Sequence, residues 1–503
     1  MTASATNPLQ HRHMAALLTG AAFLAALTLY AYAMLFPVLS QDDFQILAQS
    51  WTWQRTMDGL WTPNNEHAMP LGRLLTFAVV QLAGRPTALP FAGVLTGVVG
   101  LMIGMGLTYA FVRRELGHPF YGLTALILFG VSSVYQQAVY WFAAGFSVYA
   151  LDVLLLALLA AQRYQQTRRG RWLVACGLCC ALAPCWFASG VLAGPLCCLY
   201  LFPREDVGVP RLFQPCFDHP TRLKQPWHTL AALTPLLGTT AFLAVSLPLT
   251  AGVIQHLEHY RNQNLTAVEA FQPLTGAWYT VRSVVDNLAL GVFGITGVTV
   301  GSVVAPLLFL ILIAAGVWWA RKSPHRRLAL LGAGLIFGSY LLIYSGRAFL
   351  GTYDDVGMFT PSWSRYHLQP QLGLVLLICG GLPAGDGRWF RLDASGRLTP
   401  RQTRALACLL GLCFLVQAPR GLLCYYAPNP RQAATLRRIE RTSAFCKERR
   451  ISAEAARREL SDLKMPESNT IVNGWDFLRG SDEPKDWSPE EVREMLKVGE
   501  PGA

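Results

Sequence analysis

The chain has 503 residues, of which 52% are hydrophobic and only 14% charged; soluble domains carry about 25% charged residues. Lys and Arg number 42 against 30 Asp and Glu, a formal net charge of +12. Because these cations cluster in short loops between apolar runs, they fit membrane topology and exclude a nucleic-acid partner as their explanation.

Apolar stretches of about 17–25 residues recur, each long enough to cross a hydrocarbon core about 30 Å thick. The first, Met14 to Pro37, is longer than a signal-peptide core, and Phe36-Pro37 offers no small-residue cleavage site, so it predicts a retained span. Two adjacent carboxylates, Asp42-Asp43, follow directly. Phe44, Leu47, Trp51 and Leu60-Trp61 then recur near helical spacing, which predicts a helix lying in the interface. That segment closes with Asn64-Asn65-Glu66-His67, and Leu71 to Leu82 predicts a short, partly inserted helix after Pro70.

Further spans are predicted near Leu89–Val112, Phe120–Val134 and Phe142–Ala161, with Arg113-Arg114 and Arg168-Arg169-Gly170-Arg171 at inner ends. Trp172 to Phe202 is too long for one span, and Pro184, Gly190, Gly194 and Pro195 predict two short helices meeting near Phe187. Later spans are expected near Leu230–Leu249, Val303–Ala320, Leu328–Tyr344, Leu368–Leu382 and Ala405–Tyr425. The predicted class is all-α: a polytopic transmembrane helical bundle of about eleven spans, N-terminus in and C-terminus out. It occupies residues 1–425, with a first external loop at about 41–86, and residues 426–503 form a small helical, extracytoplasmic appendage. Ser488-Pro489-Glu490-Glu491 reads there as a helix start.

Asp42 or Asp43 is the candidate general base. Acids beside a bilayer carry a desolvation cost, and Trp51, Trp53 and Trp61 would shield them. In an extended pair the two side chains diverge, so one of them faces a pocket; the alternative is a helix cap. Glu66, His67, Tyr366 and His367 are candidate substrate contacts, and Arg365, with Arg347 as second candidate, suits a phosphate. Asp354-Asp355 with Asp42 or Asp43 could hold a divalent metal, the one cofactor the sequence suggests. Asp152 lies inside a predicted span, against Tyr149 or Gln137 or in a functional role. Six of the twelve cysteines fall between Cys176 and Cys198; apolar neighbours predict packing there, despite the CxxC pattern of Cys176 and Cys179. Cys424 and Cys446 are a candidate disulfide. No HExxH, P-loop or GxSxG motif is present.

A first span, Asp42-Asp43 directly after it, an amphipathic loop helix, and Arg365-Tyr366 before a late span together resemble the C-class membrane glycosyltransferases. Protein O-mannosyltransferases and aminoarabinose transferases belong to that group. The resemblance covers about Met14 to Tyr425. It implies a first-loop acid acting as base toward the acceptor or helping to hold a metal, and a polyprenyl-phosphate sugar as donor. The expected protein is therefore a multi-pass glycosyltransferase of the bacterial cytoplasmic membrane. Its partners would be a lipid-linked sugar donor and membrane lipid, with the acceptor left open. A transporter or lipid flippase is the alternative, and a non-catalytic envelope-assembly protein a third reading.

Overall fold

The computed structural model describes residues 8–35, 37, 43, 46–47, 49–64, 68–83, 88–202, 226–260, 273–274, 276–277, 279–281, 283–284, 325–347, 364–381 and 398–426. Among them the chain is helical and forms no β-strand. The helices are α1 (Pro8–Leu35), α2 (Trp53–Asp58), α3 (Pro70–Ala83), α4 (Leu89–Leu116), α5 (Pro119–Gly130), α6 (Gln136–Tyr140) and α7 (Phe142–Thr167). After them come α8 (Gly170–Trp186), α9 (Ala193–Leu201), α10 (Pro226–Tyr260), α11 (Arg326–Arg347), α12 (Leu368–Gly381) and α13 (Pro400–Tyr426). Among the described residues, six stretches are long and apolar enough to cross a membrane: His13–Leu35, Leu89–Leu116, Phe142–Thr167, Ala232–Leu249, Arg326–Ser345 and Pro400–Pro419. Leucines exposed along them, such as Leu17, Leu24, Leu412 and Leu415, form outward faces that water would penalise and lipid would not.

The centre of the bundle is the pair α4 and α7. They run parallel: Gly93 meets Phe142, Gly104 meets Asp152, and the Gln162 side chain reaches the Phe111 carbonyl. Close approach is possible because α4 presents Gly93, Gly97, Gly100 and Gly104 on one face. A Cβ on Gly97 would collide with the Val139 carbonyl, and one on Gly100 would lie 3.0 Å from Val148. Between membrane helices, packing of this kind takes over from the hydrophobic drive that lipid cannot supply. The helix α7 is buried along most of its length.

Two expected boundaries changed. The stretch from Phe120 is not one continuous helix to Val134, because α5 ends at Gly130 and residues 131–135 are irregular and buried. Irregular backbone survives at depth only where protein satisfies it. Here the Ser133 N–H donates to Gln417 Oε1 of α13 at 3.0 Å, and Tyr30 of α1 donates to the Ser132 carbonyl at 3.3 Å. The tryptophan-rich segment is likewise no single helix: Thr52 caps α2, whose six residues stop at Gly59. Other boundaries match the sequence pattern. The break at Phe187 falls between α8 and a 3-10 turn at Ala188–Leu192, and Gly190 lies hard against the Ala183 backbone. The half-length helix α3 starts at Pro70, as its rigid φ favours. The expected span at Val303–Ala320, the tail, and Cys446 lie outside the described residues.

At the arginine-rich end, a polar chain ties four helices together. Tyr200 of α9 and Gln162 of α7 both donate to Glu115 Oε2 of α4, at 2.5 and 2.8 Å. Gln165 of α7 donates to the Tyr200 carbonyl at 2.8 Å and accepts from Arg327 of α11 at 3.2 Å.

Candidate functional site at the start of α7

Asp43 is fully buried, and its Oδ1 accepts the backbone N–H of Ala143 at 2.7 Å. Ala143 lies in the first turn of α7, where N–H groups have no intrahelical acceptor and the helix dipole is positive. The residue that caps a helix by position, Trp141, supplies no side-chain hydrogen bond. An acid from the first loop, one hundred residues earlier in the chain, does it instead. This is helix capping, though not of the segment that follows Asp43.

Trp141 meets the second candidate. The Arg365 guanidinium lies over its ring at 4.3 Å and over the Tyr366 ring at 4.9 Å, and Nη2 donates to the Tyr366 hydroxyl at 3.2 Å. Arg365 is thus held against two aromatic faces, where a planar guanidinium can stack as well as make a cation–π contact. Two of the predicted site residues, from the first loop and from the turn before α12, therefore converge on Trp141 and Ala143. His367 is fully buried, with Nδ1 2.8 Å from the Tyr340 hydroxyl of α11. That contact ties the turn before α12 to α11.

A residue that sequence reasoning missed lies one turn further along. The helix α3 packs on α7 with Gly72 against the Phe146 ring, and the next residue, Arg73, is buried. Its Nη1 donates to Gln49 Oε1 at 2.6 Å and its Nη2 to the Thr62 carbonyl at 2.8 Å, while Nε makes no hydrogen bond. Burial pulls the guanidinium down to about 10 from its usual value, still charged at neutral pH. The sequence does carry a signal for it: an arginine inside an apolar half-helix is costly unless it is held or used. Ser50 Oγ, Asn64 Oδ1 and Trp141 Nε1 are further buried polar atoms without a hydrogen bond.

Ile46, Leu47, Met69, Val79, Val80 and Leu89 close over the start of α7 as a small core with Phe142 and Phe146. Asp42, Glu66, His67, Asp354 and Asp355, which include most of the candidate metal ligands, lie outside the described residues. Arg347 ends α11 by its backbone, and its side chain lies outside the described set. Asp152 is buried near Tyr149 but forms no hydrogen bond with either expected partner. Tyr149 donates instead to the Thr96 carbonyl at 2.7 Å, and both Asp152 oxygens lack a hydrogen bond. No protein-family model matches the sequence, and no curated protein matches it.

Proposed function

We propose that the protein is a membrane glycosyltransferase that takes a sugar from a polyprenyl-phosphate donor on the extracytoplasmic side of the bacterial cytoplasmic membrane. The observation that carries this reading is the convergence of Asp43 and Arg365 on Trp141 and Ala143. A lipid-phosphate donor needs an apolar path, a cation at its phosphate and a base at the acceptor hydroxyl. Arg365, with Arg347 as second candidate, is assigned to the phosphate. Asp43 is committed to the α7 start, so Asp42 is assigned as the base and Asp43 as the residue that positions its loop. Glu66, His67 and Tyr366 are assigned to the sugar or acceptor. The orphaned polar atoms of Ser50, Asn64, Arg73 and Trp141 are the kind of groups a hydroxyl-rich ligand pairs. In this scheme the chain makes about eleven crossings, N-terminus in and C-terminus out.

A purified-protein assay with radiolabelled polyprenyl-phosphate sugar tests the proposal. Asp42→Asn should abolish transfer while leaving thermal unfolding unchanged. Arg365→Lys should cost roughly a hundredfold in rate, because Lys cannot form the bidentate fork on a departing phosphate. Normal transfer in both variants would sink the assignment. One observation favours a transporter or flippase instead: Asp152, an unpartnered acid within a span. Donor-independent flux in liposomes, lost in Asp152→Asn, would establish that reading.

A further inference from the structure

The sequence pattern draws attention to Cys176 and Cys179, but the fold brings a different set together. Cys176 and Cys180, one turn apart on α8, face Cys197 of α9, and their three sulfurs lie within 4.8 Å of one another. All three residues are completely buried, whereas Cys179, Cys185 and Cys198 of the same run are only partly buried and stand outside the group. The backbones around the cluster are held at short range by residues without side-chain bulk. Gly177 of α8 touches Gly238 of α10, and Gly194 of α9 touches Thr239, whose hydroxyl donates to the Cys180 carbonyl at 3.4 Å. The spacing of the sulfurs is therefore set by three packed helices and not by one mobile side chain.

We propose that Cys176, Cys180 and Cys197 form a three-sulfur binding site for a soft monovalent cation, Cu(I). Sulfurs that all lie within 4.8 Å of one another are no more than about 2.8 Å from the centre of their triangle, so a shift of at most about 0.5 Å each reaches the roughly 2.3 Å metal–sulfur distance typical of thiolate sites. Structural zinc prefers four protein ligands, and iron–sulfur clusters commonly use four cysteines. Among the described residues no fourth His, Cys, Asp or Glu joins this set. All-sulfur ligation of low coordination number favours Cu(I) among biological metals. Cysteine ligates a metal as the thiolate, so binding forms three Cu–S bonds and breaks three S–H bonds, with the three protons leaving to solvent and no change in oxidation state. Cys176 and Cys180 lie about 9 and 15 Å along α8 from Gly170, at 1.5 Å per residue, so the site is at mid-helix. The end marked by Arg168, Arg169 and Arg171 is the side read as cytoplasmic and reducing, where Cu(I) persists.

The test uses the full-length protein in detergent, without oxygen, titrated with Cu(I) in competition with bicinchoninate. The expected result is one Cu(I) retained per chain, with a sulfur-only first shell in X-ray absorption. Each of Cys176→Ala, Cys180→Ala and Cys197→Ala should weaken retention at least tenfold. The combined Cys179→Ala, Cys185→Ala, Cys198→Ala variant should bind as the parent does. Circular dichroism and unfolding temperature of the single variants separate loss of a ligand from loss of fold, since Ala at a buried Cys is a small change. No retention by the parent would overturn the proposal. So would equal loss in the control variant, equal retention in all three single variants, or tighter binding of Zn(II) than of Cu(I).

Discussion

The start and the middle of the same buried helix treat an aspartate in opposite ways. At the start of α7, Asp43 comes from a distant loop and receives the Ala143 N–H at 2.7 Å. Ten residues into α7, Asp152 is buried against α4 with both oxygens unpaired. The chemical group is the same and the burial is comparable. The difference is what the backbone offers: a helix start has spare N–H groups and a positive dipole, and a helix middle has neither. An acid at the first position helps to fold the protein. No donor or cation among the described residues compensates a charge at the second, which is why it stands out as a place for function or for a neutral carboxyl.

Removing the group altogether at the favoured end should have the largest effect. Asp43→Ala leaves a helix N–H buried without an acceptor, and should cost about 2–3 kcal/mol by thermal or denaturant unfolding. Asp43→Asn keeps an acceptor oxygen and loses only the charge, so it should cost about 1 kcal/mol or less. Equal losses in the two variants would mean that the hydrogen bond to Ala143 is not what matters. Against the middle of α7, a Cβ on Gly104 would lie 2.7 Å from Asp152 Oδ1. Gly104→Ala should therefore destabilise the bundle by about 1–2 kcal/mol, an overpacking cost. Asp152→Ala in the same chain should recover most of it, and additive losses in that double-mutant cycle would break the assigned contact.

The smallest effect is expected beyond the arginine-rich end of α7, where Glu115, Tyr200 and Arg327 meet. His325, beside this chain, is held below its usual pKa by burial, with Glu115 opposing. The unfolded chain therefore takes up the proton more readily, and stability should be complete above about pH 6.5 and decline as pH falls below it. His325→Gln should flatten that decline, and an unchanged pH profile would place the titration elsewhere.

Much of this architecture is legible in the amino-acid sequence. Span positions follow from local hydropathy, as do the half-helix from Pro70 and the break at Phe187, because each depends on residues within one or two turns. Asp42-Asp43 and Arg365 draw attention for the same kind of local reason, charge beside an apolar run. The interruption after Gly130 is not legible, since it is tolerated only because Tyr30 and Gln417 arrive from other helices.

Local sequence, then, determined the helices, the arginine asymmetry of the loops and the set of polar residues that needed an explanation. Partnership was decided only in three dimensions. Asp43 is a cap for α7 and not for its own segment; Arg365 rests on Trp141; and Cys176 joins Cys180 and Cys197 rather than the closer-looking Cys179. The physical reason is common to all three. Hydropathy acts residue by residue along the chain, whereas hydrogen bonds, ring contacts and ligand sets require atoms within a few ångströms. In a bundle, those atoms are supplied by whichever helices the glycine seams allow to touch.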